Sequence, residues 1–175
     1  CTMFIKKIEN YKIEGLLLIT MDNYHDSRGE IWTLHSENSI FPDFVEDKIT
    51  ISNLGVLRGL HGDPKTCKLI SCLHGSFVLN VVDARKGSKT YGESQKFNLS
   101  SDKGQSVLVP PGCLNGHLCK SEKCIFWYKW SEKYDISNQT TVSWNDKTLN
   151  LDWEFENPLL SERDKNGKDF KGVEL

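Results

Sequence analysis

Lys68-Leu-Ile-Ser-Cys-Leu-His-Gly75-Ser-Phe-Val-Leu-Asn-Val-Val-Asp83 holds two short apolar runs, 68–73 and 77–83, on either side of a glycine. Runs of six or seven residues rich in Val, Ile and Leu and bounded by a turn residue suit strands better than helices. His74-Gly75-Ser76 between them is expected to make a tight hairpin. Six more runs of this kind lie outward from the pair, at 16–20, 30–35, 48–52, 95–99, 105–109 and 124–130. They are separated by Asp26-Ser27-Arg28-Gly29, Lys86-Gly87-Ser88, Asp102-Lys103-Gly104 and Pro110-Pro111-Gly112. About eight short strands at regular spacing predict an all-β sandwich or barrel. The composition agrees: Ala84 is the single alanine, and there are two Met against five Trp, five Tyr and eight Phe. Two good helix formers, Ala and Met, are nearly absent, while residues that fit a pleated, half-buried surface are plentiful.

Beyond residue 131 the chain turns more polar, and a short helix around 159–165 is expected as a tail on the β core. Residues 3–175 therefore read as one domain, with Cys1-Thr2 as leftovers ahead of a start at Met3. Twenty-two basic residues against 24 acidic ones exclude a nucleic-acid polymer as partner, but not a small anion held by a few arginines. The longest apolar run near the start, 16–19, is far short of a membrane span, and no secretory signal precedes it. A cytoplasmic protein with no membrane partner is expected, its cysteines buried as free thiols.

Four segments could carry chemistry. Gly55-Val-Leu-Arg58-Gly-Leu-His61-Gly-Asp-Pro reads as a loop. Its imidazole could accept a proton and its guanidinium could bind a phosphate, or both could be ordinary loop residues. Gly104-Gln-Ser-Val-Leu-Val-Pro110-Pro-Gly112-Cys-Leu-Asn115-Gly-His117 fits the second cupin motif, G-x5-P-x-G-x2-H, except that Asn115 stands where the histidine belongs. That position commonly ligates a metal in cupins, and the paired His-x-His of the first motif is missing too, so no metal is expected. A zinc site from Cys113, His117, Cys119 and Cys124 matches no familiar spacing. In 124–130, alternation puts Cys124, Phe126, Tyr128 and Trp130 on one face, making Tyr128 either a core phenol or an acid in a pocket wall. Asp26-Ser-Arg28-Gly29 is either a plain turn or a presenter of Arg28 to an anion.

Taken in order, these segments resemble the dTDP-4-dehydrorhamnose 3,5-epimerase family of cupins over nearly the whole chain. The resemblance runs from Asp26-x-Arg28-Gly29 through Gly55-Val-Leu-Arg-Gly-Leu-His61, Lys68-Leu, Val82-Asp83-x-Arg85, Pro110-Pro-Gly112 and Tyr128-Lys. It continues to Trp144-x-Asp146, Leu151-Asp152-Trp153 and Leu160-Ser-Glu-x-Asp164. It implies a metal-free and cofactor-free jelly-roll barrel that forms a homodimer and serves deoxysugar or heptose supply for surface polysaccharide. The implied substrate is a GDP- or dTDP-linked 4-keto sugar. By the same resemblance His61 is the general base, Asp164 its orienting carboxylate, Tyr128 the general acid and Lys68 the cation at the C4 oxygen. Asp83 would neighbour Lys68, Arg28 and Arg58 would hold the diphosphate, and Tyr134, Lys48 and Asn115 would line the substrate site.

The chemistry asks for these residue types. A C4 ketone acidifies the hydrogens on C3 and C5, so one base suffices to make an enolate. Inversion needs the proton returned from the other face, and the enolate oxygen needs a positive or donor group. Three departures from the family stand out. Asn115 replaces its histidine, the stretch from His61 to Lys68 is short, and Glu46 and Lys48 take the places of Gln and Asn. An epimerase of C3 alone, a ketoisomerase moving the carbonyl between C3 and C4, and a sugar-nucleotide-binding cupin without turnover are the competing readings.

Overall fold

The computed structural model describes residues 4–175; the expected start at Met3 and its two leading residues lie outside them. Among the described residues thirteen strands, antiparallel wherever they pair with one another, make up nearly half of the chain. In chain order they are β1 (Ile5–Asn10), β2 (Leu17–Met21), β3 (Asn23–Asp26), β4 (Gly29–Trp32), β5 (Glu46–Asn53), β6 (Leu57–Gly62) and β7 (Lys68–His74). There follow β8 (Ser76–Asp83), β9 (Ser94–Ser100), β10 (Gln105–Val109), β11 (Cys113–Cys119), β12 (Lys123–Trp130) and β13 (Thr140–Thr141). A six-stranded sheet in the order β1-β2-β10-β7-β12-β5 faces a five-stranded one in the order β13-β6-β11-β8-β9, while β3 and β4 pair as a separate hairpin. This is the expected all-β jelly roll.

The expected hairpin at 74–76 is not one. β7 pairs with β10 and β12, whereas β8 pairs with β11 and β9 in the opposite sheet. Gly75 is therefore a corner, at φ +69°, and a Cβ there would collide with the Lys123 carbonyl. Only glycine fits so tight a passage with φ in the left-handed region. The run expected at 30–35 is shorter, ending at Trp32, and the expected tail helix is one turn, α1 (Glu162–Lys165).

Alternation along the strands separates a layer between the sheets from one on the outer face of each, that of the six-stranded sheet being Ile19, Met21, Leu69 and Leu108 under Phe41 and Phe44. Leu79 and Val81 of β8 join Ile70, Phe77, Phe97, Val107 and Phe126 between the sheets. The alternate residues Val82, Leu114 and Leu118 face outward and are covered by Trp153, Phe170 and Val173 of the C-terminal segment. That segment is stitched to the start of β6 by Leu57 N–H donating to Leu159 O (2.9 Å) and Leu159 N–H donating to Gly55 O (2.8 Å). The five cysteines among the described residues are buried and unpaired. Among those residues no three His, Cys, Asp or Glu side chains are grouped to hold a metal, the Cys113/His117/Cys119/Cys124 set included. None of their helices is long and apolar enough to cross a membrane.

Candidate active site

At one end of the sandwich the two sheets part around a cavity of about 360 Å³. β6 and β11 supply one wall, with Arg58, His61, Asn115 and His117; β5, β7 and β12 supply the other, with Lys48, Thr50, Lys68, Phe126, Tyr128 and Trp130. Strict alternation would send Arg58 and His61, three residues apart, to opposite faces. β6 avoids this with a bulge. It runs from Arg58 to His61 where its partner β11 runs only from His117 to Asn115. The extra residue turns both side chains into the cavity. Gly59 sits within the bulge at φ +135°, where a Cβ would meet Gly116 Cα at 2.5 Å. The segment expected as a loop is thus an interior strand of its sheet.

His61 Nε2 and Asp164 Oδ1 are 2.5 Å apart. With the carboxylate accepting from Nε2–H, Nδ1 keeps the lone pair. Asp164 is held in turn: Gly59 N–H donates to its Oδ2 (3.2 Å), and its own N–H donates to the Ser161 hydroxyl that caps α1. Burial works to raise the Asp164 pKa, but the bond and charge of His61 together with the Gly59 amide hold it below the usual carboxylate range. Asp164 therefore stays ionised behind the imidazole, fixing its tautomer and stabilising imidazolium once a proton is taken.

Lys68 reaches across from β7, and its Nζ donates to Asn115 Oδ1 at 3.0 Å. The ammonium also lies 4.7 Å from the Trp130 ring centre. Burial pushes its pKa down to about 8, with nearby Asp63 opposing and Arg163 adding to the fall. Tyr128 stands between Phe126 (ring centres 4.8 Å apart) and Trp130 (5.6 Å). Burial raises its pKa, against the pull of Arg58, so at neutral pH it is a phenol able to donate a proton. At the mouth, Lys48 pairs with Glu46 (2.8 Å) and lies 4.9 Å from the Tyr134 ring centre, while Arg58 Nε donates to Ser52 Oγ (3.0 Å).

Eight of the ten expected site residues thus converge on one cavity. Arg28 is not among the residues lining it: it lies in the β3–β4 turn, ion-paired with Asp26. Asp83 is fully buried and bonded to Arg85, Ser88 and Thr90, which fix the turn after β8. Its environment makes it a turn-builder, away from Lys68. Gln139, Ser161 and Arg163 also line the cavity. Trp130 lies on the Tyr128 face that alternation predicts; Thr50 shares strand parity with Lys48, a signal that could have found it, whereas nothing local marks Gln139.

A family model described as dTDP-4-dehydrorhamnose 3,5-epimerase matches residues 10–172. The chain belongs to that family. The epimerase is 35% identical over 173 residues to the dTDP-4-dehydrorhamnose 3,5-epimerase of Pseudomonas aeruginosa, covering 94% of this chain and 96% of the relative. It is 32% identical over 169 residues to that of Methanothermobacter thermautotrophicus, covering 91% of each. A solved dTDP-6-deoxy-D-glucose-3,5-epimerase of Legionella pneumophila in complex with dTDP-4-keto-L-rhamnose superimposes with a TM-score of 0.88 at 30% identity. That match covers 95% of this chain and 94% of the other. The fold and the isomerase class expected from the sequence are those of these relatives.

Proposed function

We propose that the epimerase inverts C3, and in its relatives' manner C5, of a nucleoside-diphosphate 4-keto sugar. His61 takes the proton, Lys68 and its partner Asn115 meet the developing C4 oxygen, and Tyr128 returns a proton to the opposite face. The observation that carries this reading is the His61–Asp164 pair on one wall of a cavity whose other wall presents Tyr128 and Lys68. Two groups on opposite walls are what inversion requires, and a buried cation at the enolate oxygen is the electrostatic part. Arg58 and Lys48 at the mouth are cations suited to a diphosphate, and Tyr134 gives the nucleotide base a ring to lie on.

The relatives' dTDP sugars make a dTDP-linked 4-keto hexose the first substrate to try, with a GDP-linked 4-keto heptose as the second. The product would feed deoxysugar or heptose supply for surface polysaccharide in the cytoplasm, with residues 3–175 acting as one catalytic domain. A homodimer suits the bare outer side of edge strand β5, where Ile49 and Ile51 are 58% and 62% exposed. Arg28, on an exposed hairpin and not among the residues lining its own chain's cavity, would serve a diphosphate across an interface between copies.

Incubation with either substrate in D2O tests the reading. Deuterium at C3 or C5 of a product that keeps its C4 carbonyl is expected. No exchange with either substrate, or a carbonyl moved to C3, would count against epimerisation.

A further inference from the structure

Among the described residues, three buried side-chain polar atoms have no hydrogen-bond partner: Thr50 Oγ1, His117 Nε2 and Trp130 Nε1. All three belong to residues lining the one cavity described above. An unpartnered buried donor or acceptor costs about 1–3 kcal/mol, and elsewhere the chain pairs such groups, as the bonds around Asp83 and Asp146 show. Orphans gathered at one site mark places where the partner arrives with the ligand or its water.

Thr50 and His117 are both neighbours of Phe126. Thr50 is the cross-strand partner of Phe126, and the His117 ring lies flat on Phe126, with ring centres 3.8 Å apart and planes 9° apart. Phe77 closes the same ring edge-on at 5.4 Å. These contacts fix the imidazole plane and hence where Nε2 can meet a ligand. Burial, reinforced by Arg58 and His61, pushes the His117 pKa down to about 3, so the ring is neutral at working pH. A neutral imidazole beside a hydroxyl offers one donor and one acceptor without charge. That combination matches a hydroxyl, which both donates and accepts, better than a phosphate or carboxylate.

We propose that His117 and Thr50 form a pocket for one hydroxyl of the bound sugar and make the enzyme favour sugars that carry it. The inference rests on the nucleotide-sugar reading above. In that reading Lys68 and Asn115 take the C4 oxygen, His61 and Tyr128 face C3 and C5, and Arg58 holds the diphosphate on C1. The hydroxyl left for the Phe126 end is on C2 or on C6.

Calorimetric binding of three unreactive 4-hydroxy ligands separates these cases: dTDP-glucose, dTDP-2-deoxyglucose and dTDP-6-deoxyglucose. Each is measured on wild type, His117→Phe and Thr50→Val; the phenylalanine preserves stacking, and the valine preserves shape. For wild type, deleting one of the two hydroxyls should weaken binding about 10-fold, the usual worth of one matched hydrogen bond. Which deletion does so identifies the carbon. In either variant the same deletion should cost less than about 2-fold, because the partner is already gone. The inference is overturned if neither deletion weakens wild-type binding, or if the penalty persists unchanged in both variants. Failure of wild type to bind dTDP-glucose and GDP-glucose alike would instead strike the nucleotide-sugar reading and take this inference with it; binding of GDP-glucose alone moves the same comparison to the GDP-linked 2-deoxy and 6-deoxy sugars.

Discussion

The imidazole of His61 has Nε2 committed to Asp164 and Nδ1 left to take the substrate proton, so the carboxylate holds the ring before the transfer and stabilises the imidazolium after it. His61→Asn should lower kcat by about 10³-fold or more, while dTDP-sugar affinity, read by calorimetry, changes little. Lys68, with a pKa near 8, adds a pH signature. Its ammonium is present below about pH 8 and lost above it, so kcat/KM, which follows the free enzyme, should fall on the alkaline side of pH 8. Lys68→Met should be slow at every pH and lack that limb; an unchanged limb would assign it to another group. At this scale the sequence was most legible where chemistry fixes residue type. His61, Lys68, Tyr128 and Asp164 all reach one cavity. Thr50, Gln139 and Arg163 did not declare themselves, because threonine, glutamine and arginine are ordinary surface residues until the fold brings them inward.

The bulge in β6 is the element on which the site depends. Arg58 and His61 face the same way only because one residue is extra there, and Gly59 permits it by bringing β6 against Gly116. Gly59→Ala would set a methyl 2.5 Å from the Gly116 backbone at a positive φ. The expected cost is roughly 3 kcal/mol of stability, seen as a Tm lower by about 10 °C, with activity lost as His61 turns. A Tm within error of wild type would mean the strand does not need this approach. The same glycines explain why the sequence misled. A stretch with glycine at 55, 59 and 62 around charged residues reads as a loop, and alternation offers no warning of a bulge. Likewise the Gly75 turn has the local signature of a hairpin. Whether two successive strands pair or part into opposite sheets depends on what else competes for their edges, here β10, β12, β11 and β9.

Over the whole molecule, the jelly roll gives a rigid frame. The C-terminal segment closes the outer face of the five-stranded sheet, and Phe4, Leu34, Ile40, Phe41 and Phe44 close that of the six-stranded sheet, which stays bare along β5. If Ile49 and Ile51 meet a second copy, Ile49→Glu with Ile51→Glu should halve the mass seen by analytical ultracentrifugation; an unchanged mass would move the interface elsewhere. Stability should depend on pH through buried His117. Its folded pKa, about 3, lies below the ordinary imidazole value, so the unfolded chain binds a proton first as pH falls below about 6.5. Stability due to this group is full above that pH and declines towards pH 3. Between pH 6.5 and pH 5 the decline is about 2 kcal/mol, from 1.5 units at about 1.4 kcal/mol each. Urea unfolding at pH 7 and pH 5 should show that much less pH-dependence in His117→Phe. The central claim, that removal and return of the proton belong to opposite walls of one cavity, is tested most directly by Tyr128→Phe given a 4-keto sugar nucleotide in D2O. With His61 intact, NMR should find deuterium entering C3 while the epimerised product fails to form. Epimerised product at the wild-type rate would contradict the account, since the returning proton would then come from elsewhere.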